Sequence, residues 1–263
     1  MRAYRFASAL LIAGAAGTVQ AGNGLNDIGY GAESAGMAGA DIALARDTAA
    51  FNTNPAGAVQ IHGQVLDLLL EPYSYLATKH SDSVGNDEGP KNKYGSGAGG
   101  GYARRLKDRD VVVGFGLFVQ GGAGFVYEDF STPFGTQDTL SGLFGAVKIA
   151  PGIAWKINEQ WSVGASTGLL YSTARQKFFH KTSTPPTVTS EGTIPGFSGF
   201  RVDSLSGVSI NIKTGFQYRP HANWVLAGVF TSKGPIRLEN GEVEVNVDGL
   251  GVVTYRDARQ TGL

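Results

Sequence analysis

The sequence has 263 residues, with 39 glycines, 42% hydrophobic residues, no cysteine, and 22 basic against 22 acidic side chains. That length suits one large β domain, the charge balance argues against nucleic acid as a partner, and without cysteine no disulfide is available. After the N-terminal segment no run of about 18 apolar residues occurs, so a spanning structure would have to be a closed barrel, the other way to satisfy backbone groups in lipid.

Residues 1–21 read as a secretory signal: Arg2 and Arg5 supply the charged start, residues 6–19 the apolar run, and Val19-Gln20-Ala21 a small-residue cleavage site. Removing them leaves 20 basic against 22 acidic residues in a mature chain that starts at Gly22. Residues 24–58 follow, rich in Gly and Ala and poor in large apolar side chains. Such a stretch cannot build its own core. Its Ala-rich middle, residues 34–50, fits short helices anchored by Met37, Ile42 and Leu44, and Pro55 disfavours helix at Asn54. It reads as a plug that surrounding structure must hold.

The form G-x-G-A-E-S-x-G-M-A-G-A over residues 29–40, followed by Asn54-Pro55-Ala56 and then by amphipathic segments, resembles the hatch of the FadL/TodX family of outer-membrane transporters for long-chain fatty acids and aromatic hydrocarbons. The resemblance covers nearly the whole mature chain. It implies an all-β fold, a transmembrane antiparallel β-barrel plugged by a small N-terminal helical hatch, of which this chain supplies roughly seven or eight of about fourteen strands. The division expected is signal over 1–21, hatch over 22–58 and an incomplete barrel portion over 59–263.

From Val59 onward, apolar-rich segments are joined in turn by long polar loops (79–93, 121–141, 180–204) and short turns (106–110, 158–160, 219–223). That alternation is the outer-membrane barrel pattern, with long loops outside and tight turns in the periplasm. A first strand over 59–78 leading into a long loop puts the hatch at the periplasmic end. The strands alternate too. Val147, Ile149, Ile153, Trp155 and Ile157 oppose Ala146, Lys148, Ala150, Gly152 and Lys156; Trp161, Val163, Ala165, Leu169 and Tyr171 oppose a Ser/Gly face; Val208, Ile210, Ile212, Phe216 and Tyr218 oppose Ser209, Asn211, Lys213 and Gln217. The apolar face is expected to meet lipid, with Trp155, Trp161, Tyr218 and Trp224 as an interfacial girdle. A water-soluble sandwich alternates as well, but it explains neither the signal nor the loop pattern. Residues 152–178 and 214–239 resemble the family's paired strands around short turns.

The candidate site residues follow. Gly121, Gly122 and Gly124 in FVQGGAGF sit where the resemblance implies a kinked strand that opens the wall sideways; a flexible loop is the other reading. Lys148 and Lys213 have inward parity and could meet a ligand carboxylate, or pair with Asp41 or Asp47 of the hatch. Phe125, Phe130, Phe134 and Leu140 could form an outer apolar docking groove, or pack their loop onto itself. Asn54-Pro55-Ala56 marks the hatch. His62, His80, His180 and His221 show no metal-ligand spacing and are expected at the surface, and the Ser-rich strands near Asp203 and His180 show no nucleophile held by a base, so neither enzyme nor cofactor nor metal is expected.

The expected function is passive outer-membrane transport of long-chain fatty acids or similar hydrophobic compounds by a monomer among outer-membrane lipid in a Gram-negative cell, with lateral exit. The alternatives are an aromatic hydrocarbon channel and a non-transporting surface adhesin or small structural barrel. About seven strands plus an ambiguous 243–255 segment leave two open edges, which lipid does not tolerate; the expectation is therefore the N-terminal part of a longer transporter.

Overall fold

The structure, a computed structural model, describes residues 26–45, 47–74, 77–190 and 192–261. The export signal expected over 1–21 lies outside the described residues. Helix α1 (Ala32–Gly36) and two 3-10 turns (Thr48–Phe51 and Pro55–Gln60) come first. The strands are β1 (Gln64–Ser74), β2 (His80–Ser81), β3 (Asp87–Glu88), β4 (Tyr94–Arg105), β5 (Val111–Ser131), β6 (Gln137–Lys156) and β7 (Trp161–Thr184), then β8 (Thr187–Thr189), β9 (Gly192–Ile194), β10 (Phe197–His221), β11 (Trp224–Thr231), β12 (Arg237–Val247) and β13 (Gly251–Thr261). Nine of them form one sheet in the order β1-β4-β5-β6-β7-β10-β12-β13, with β11 also on β10. All its pairings are antiparallel. This is a partial transmembrane β-barrel around a small helical hatch. Among the described residues β1 and β13 end the sheet.

β11 and β12 run along the same edge of β10, meeting it at Lys213↔Thr231 and Ser206↔Glu239. Between them Gly234-Pro235 interrupts the ladder, because proline has no N–H to give. The two are halves of one wall strand. The ambiguous 243–255 segment proves to be the β12–β13 hairpin.

Two expected loops are corrected. β5 runs through the Gly-rich segment to Ser131 and β6 starts at Gln137, so the loop expected over 121–141 is a turn at 132–136; β7 and β10 likewise absorb much of 180–204, leaving the β8–β9 hairpin between them. Side-chain chemistry misled here, since Gly, Ser and Thr look like loop formers, yet the ladder needs only their backbones. At about 3.3 Å per residue β5 is roughly 70 Å long, far more than the apolar band of about 25 Å needs even when tilted. The surplus projects outside the membrane. The first strand also starts later than expected, at Gln64, because Pro55 opens a 3-10 turn that runs to Gln60.

The faces fall as the alternation requires. Val147, Ile153, Ile210 and Ile212 are exposed on the outer surface, whereas Ala146, Ala150, Ala154, Ser162, Ser166, Ser209 and Gln217 are buried inside. Trp161 stacks on Tyr218 with ring centroids 4.4 Å apart, beside the short turns as a girdle requires. A lysine in place of Ile212, midway along the lipid face, should destabilise the inserted barrel by about 2–4 kcal/mol. Unfolding titrations in bilayers would read this, and an unchanged midpoint would mean that this face does not meet lipid.

The inner face is small because the hatch occupies it. Phe51, Ala50, Ala58 and Ile61 form one core with Ala103, Val112, Phe118, Ala150 and Ala154 of the wall. The anchors differ from those expected: Ile42 and Leu44 are exposed, and Phe51 is fully buried, which is worth about 2–3 kcal/mol.

Candidate functional site

The hatch is seated by polar groups as well as by Phe51. Asn54 is extended and caps the second 3-10 turn, its Oδ1 accepting from Ala56 N at 3.1 Å. Its Nδ2 donates to Ile42 O at 2.9 Å and to Phe216 O on β10 at 3.3 Å. Ser166 Oγ donates to Phe51 O at 2.7 Å and Ser162 Oγ to Ala56 O at 3.3 Å. Gly164 and Gly215 leave the hatch room to approach, since a Cβ at Gly164 would strike Pro55 and one at Gly215 the Asn54 side chain. On the opposite side, Asp67 of β1 accepts from Thr48 N at 2.8 Å and Glu71 from Gly31 N at 3.3 Å. The Asn54-Pro55-Ala56 motif thus sits at the centre of the contact between hatch and wall.

Beside the hatch lies a cavity of about 810 Å³. Lys148 and Lys213 both line it, together with Asn52, Tyr30, Asp41, Asn211 and apolar Ile28, Leu170 and Val229. Lys148 Nζ donates to Asn52 Oδ1 at 2.8 Å, and Lys213 Nζ donates to Asn52 O. Neither lysine has a carboxylate within ion-pair distance among the described residues, so the pairing with Asp41 or Asp47 that the sequence left open is not formed; Asp47 caps the first 3-10 turn instead. Asn211 Oδ1 is buried without a hydrogen-bond partner. Burial pushes the Tyr30 phenol up to about 12, keeping it neutral, and raises the Asp27 carboxyl with a smaller push from Glu71.

The wall next to this cavity is unevenly paired. β4 and β5 pair from Arg105↔Val112 to Gly100↔Leu117 and no further. Contact resumes where Asn92 Nδ2 donates to Gly124 O and Val126 N to Asn92 Oδ1, each at 2.9 Å. Residues 118–123 of β5 therefore lack β4 as a ladder partner on that side. Their other edge pairs with β6, with a register shift between Val119 and Gly121 that bulges Gln120. The hatch covers this stretch from within: Asn26 bridges to Gly121, Asp27 N donates to Gln120 O at 3.2 Å, and Tyr30 hydrogen-bonds the Gln120 side chain. Of the three predicted kink glycines, Gly121 and Gly122 lie in the stretch that β4 leaves, Gly121 bridged by the hatch instead, and Gly124 lies at its outer limit.

The four predicted apolar residues lie at the outer end, on strands and a turn rather than in a long loop. Phe125, Phe130 and Leu140 join Tyr127, Phe178, Phe179 and Phe197 in one cluster with Phe130 buried, while Phe134 stacks on Phe197 at 4.6 Å. One histidine departs from the expected surface positions: His180, largely buried, lies 3.4 Å from the buried Asp138 carboxylate, while His80 stays partly exposed and packs edge-on against Phe130 at 4.9 Å. Asp82, which receives Asn86 and His80 hydrogen bonds in the first outer loop, is held down to about 2. Sequence reading missed Asn52, Gln120, Tyr30 and Asn26. The proximity of Asn52 to the Asn54 motif and of Gln120 to the glycine run were the signals available.

No protein-family model matches the sequence, and neither does any curated protein. Solved structures do match. The Pseudomonas putida toluene transporter TodX superposes with a TM-score of 0.65 at 17% identity over 90% of this chain, and the Ralstonia pickettii toluene transporter TbuX with 0.59 at 18% over 88%. The chain has a FadL/TodX-like fold. It spans 64% of the TodX chain and 62% of the TbuX chain. Within the FadL/TodX-like fold, the hatch, the cavity and the unpaired part of β5 are contiguous, because Asp27, Ile28 and Gly29 line both the lysine-bearing cavity and the recess outside it that Val119 and Gly122 border.

Proposed function

We propose that the chain is an outer-membrane transporter that lets a long-chain fatty acid, or a similar hydrophobic compound, diffuse passively past the hatch and out through the side of the wall. The observation that carries this reading is the 118–123 stretch of β5 that β4 leaves unpaired, covered by the same Asn26–Tyr30 segment that borders the cavity. An acyl chain gains about 0.8 kcal/mol per buried methylene. Its carboxylate finds Lys148 and Lys213, neither of them neutralised by a contacting carboxylate, as charged donors. On this reading Gly121, Gly122 and Gly124 form the kink, Phe125, Phe130, Phe134 and Leu140 receive the ligand at the outer end, and the hatch over 22–58 shifts about Asn54-Pro55-Ala56. The protein works as a monomer among outer-membrane lipid of a Gram-negative cell, exported by residues 1–21, without a cofactor and without catalysing a reaction. A second reading, uptake of aromatic hydrocarbons, is favoured by the substrates in the names of TodX and TbuX.

The side route can be closed with a disulfide. A Cβ built at Gly97 lies 3.5 Å from Val119 Cβ, across the gap between β4 and β5 and within the range a disulfide accepts. Gly97→Cys with Val119→Cys should lower uptake severalfold when oxidised and recover it with reductant. Equal uptake in both states, with the disulfide verified, would overturn the lateral route.

A further inference from the structure

On β7, Trp161 and Tyr171 bound the lipid-facing apolar stretch, ten residues apart. At the usual rise and tilt that is about 25 Å along the membrane normal, the height of a barrel's apolar band. The pairing of β7 with β6 keeps one register from Ser162 to Phe178, so alternation continues unbroken and the next outward side chains after Thr173 are Arg175 and Lys177. They stand about 10 and 15 Å beyond the belt on the outer-loop side, and long cationic side chains can lean back toward the interface.

β10 places Arg201 directly opposite Lys177. Like charges facing each other across strands are unfavourable unless something neutralises them. Arg201 is countered by Asp203 at 2.6 Å and Glu244 at 3.4 Å. Arg175 and Lys177 have no ion pair or hydrogen bond from their side chains among the described residues.

We infer that Arg175, Lys177 and Arg201 form a site on the outside of the wall for the phosphate groups of an outer-leaflet glycolipid. A phosphate there accepts from guanidinium and ammonium together and balances the charges of Arg175 and Lys177, which no carboxylate contacts. The carboxylates of Asp203 and Glu244 border the site on one side and hold the Arg201 side chain in place, while Leu143 beside Arg175, and Tyr171 and Val208 nearer the belt, offer apolar surface to the acyl chains. The inference rests on the membrane reading above and is independent of what is transported.

The test uses the full chain purified in detergent, titrated with bis-phosphorylated lipid A and with the same lipid dephosphorylated, and read by native mass spectrometry. The wild type should retain the phosphorylated lipid at least tenfold more tightly. Arg175→Gln with Lys177→Gln, which leaves the ion-paired Arg201 intact, should erase the preference while leaving uptake unchanged. Equal retention of both lipids by a wild-type protein that inserts into vesicles, or an unaltered preference in the double variant, overturns this inference alone. Failure of the wild type to insert overturns the membrane reading and this one with it.

Discussion

Replacing Asn54 by alanine should release the hatch from the wall while leaving the strands folded. Asn54 is fully buried and all of its amide is used: one acceptor for Ala56 N and two donations, one within the hatch and one to Phe216 O of β10. Alanine removes three bonds and leaves buried backbone groups without partners, a loss of about 2–4 kcal/mol. That is comparable to what Phe51 contributes by burial, and the hatch has few other large side chains to hold it. The strands lose little, because their ladders do not pass through Asn54. Limited proteolysis of the inserted protein should therefore show new cleavage within residues 26–60 at an unchanged barrel melting temperature. Ser166→Ala, which removes the single bond to Phe51 O, should do the same more weakly, by about 1 kcal/mol. Cleavage as slow as in the wild type in both variants would show that the hatch is held elsewhere.

Lys148→Met should separate acids from hydrocarbons. Lys148 is buried, and its ammonium reaches Asn52 Oδ1 with no contacting carboxylate to balance it. Methionine keeps most of the volume and removes the charge. A hydrogen bond to a charged group is worth about 1.5–3 kcal/mol, so binding of a fatty acid should weaken by roughly 10- to 150-fold while an alkane of the same length binds as before. Lys213→Met should act in the same direction. If acid and alkane weaken together, the lysines serve to hold Asn52 and the hatch, and the aromatic-hydrocarbon reading gains.

The parts of this fold that were legible in the sequence are those governed by a local period or motif. Alternation in 145–157, 161–172 and 207–218 assigned lipid and lumen faces that match the burial of Ala146, Ser166 and Gln217. The hatch was legible because residues 29–40 and Asn54-Pro55-Ala56 lie close together in sequence. Strand lengths were not. Outside the apolar belt a strand gains nothing from period-two hydrophobicity, so Gly121–Gly124 and residues 180–184 looked like loop although their backbones pair. The contacts that define the cavity were hidden for another reason. Asn52 meets Lys148 and Lys213 across 96 and 161 residues, and Tyr30 meets Gln120 across 90, distances over which no local pattern speaks. The unpaired edge of β5 was foreseeable only as a cluster of glycines, since glycine marks where a ladder can fail without saying on which side.

The hatch precedes every wall strand in the chain, yet its bonds reach Ser162, Ser166, Phe216 and Gln217, 106 to 174 residues away. Closing loops of that length costs entropy that neighbouring strands avoid, because each hairpin closes locally. Once β7 or β10 docks on the hatch, however, the strands between them are confined to a short arc. The hatch then works as a mandrel on which the sheet is wound, hatch and wall ordering each other because they share one core. The slow step of assembly should be that docking. A chain lacking residues 22–58 should form hairpins at normal speed and reach a curved, inserted sheet late.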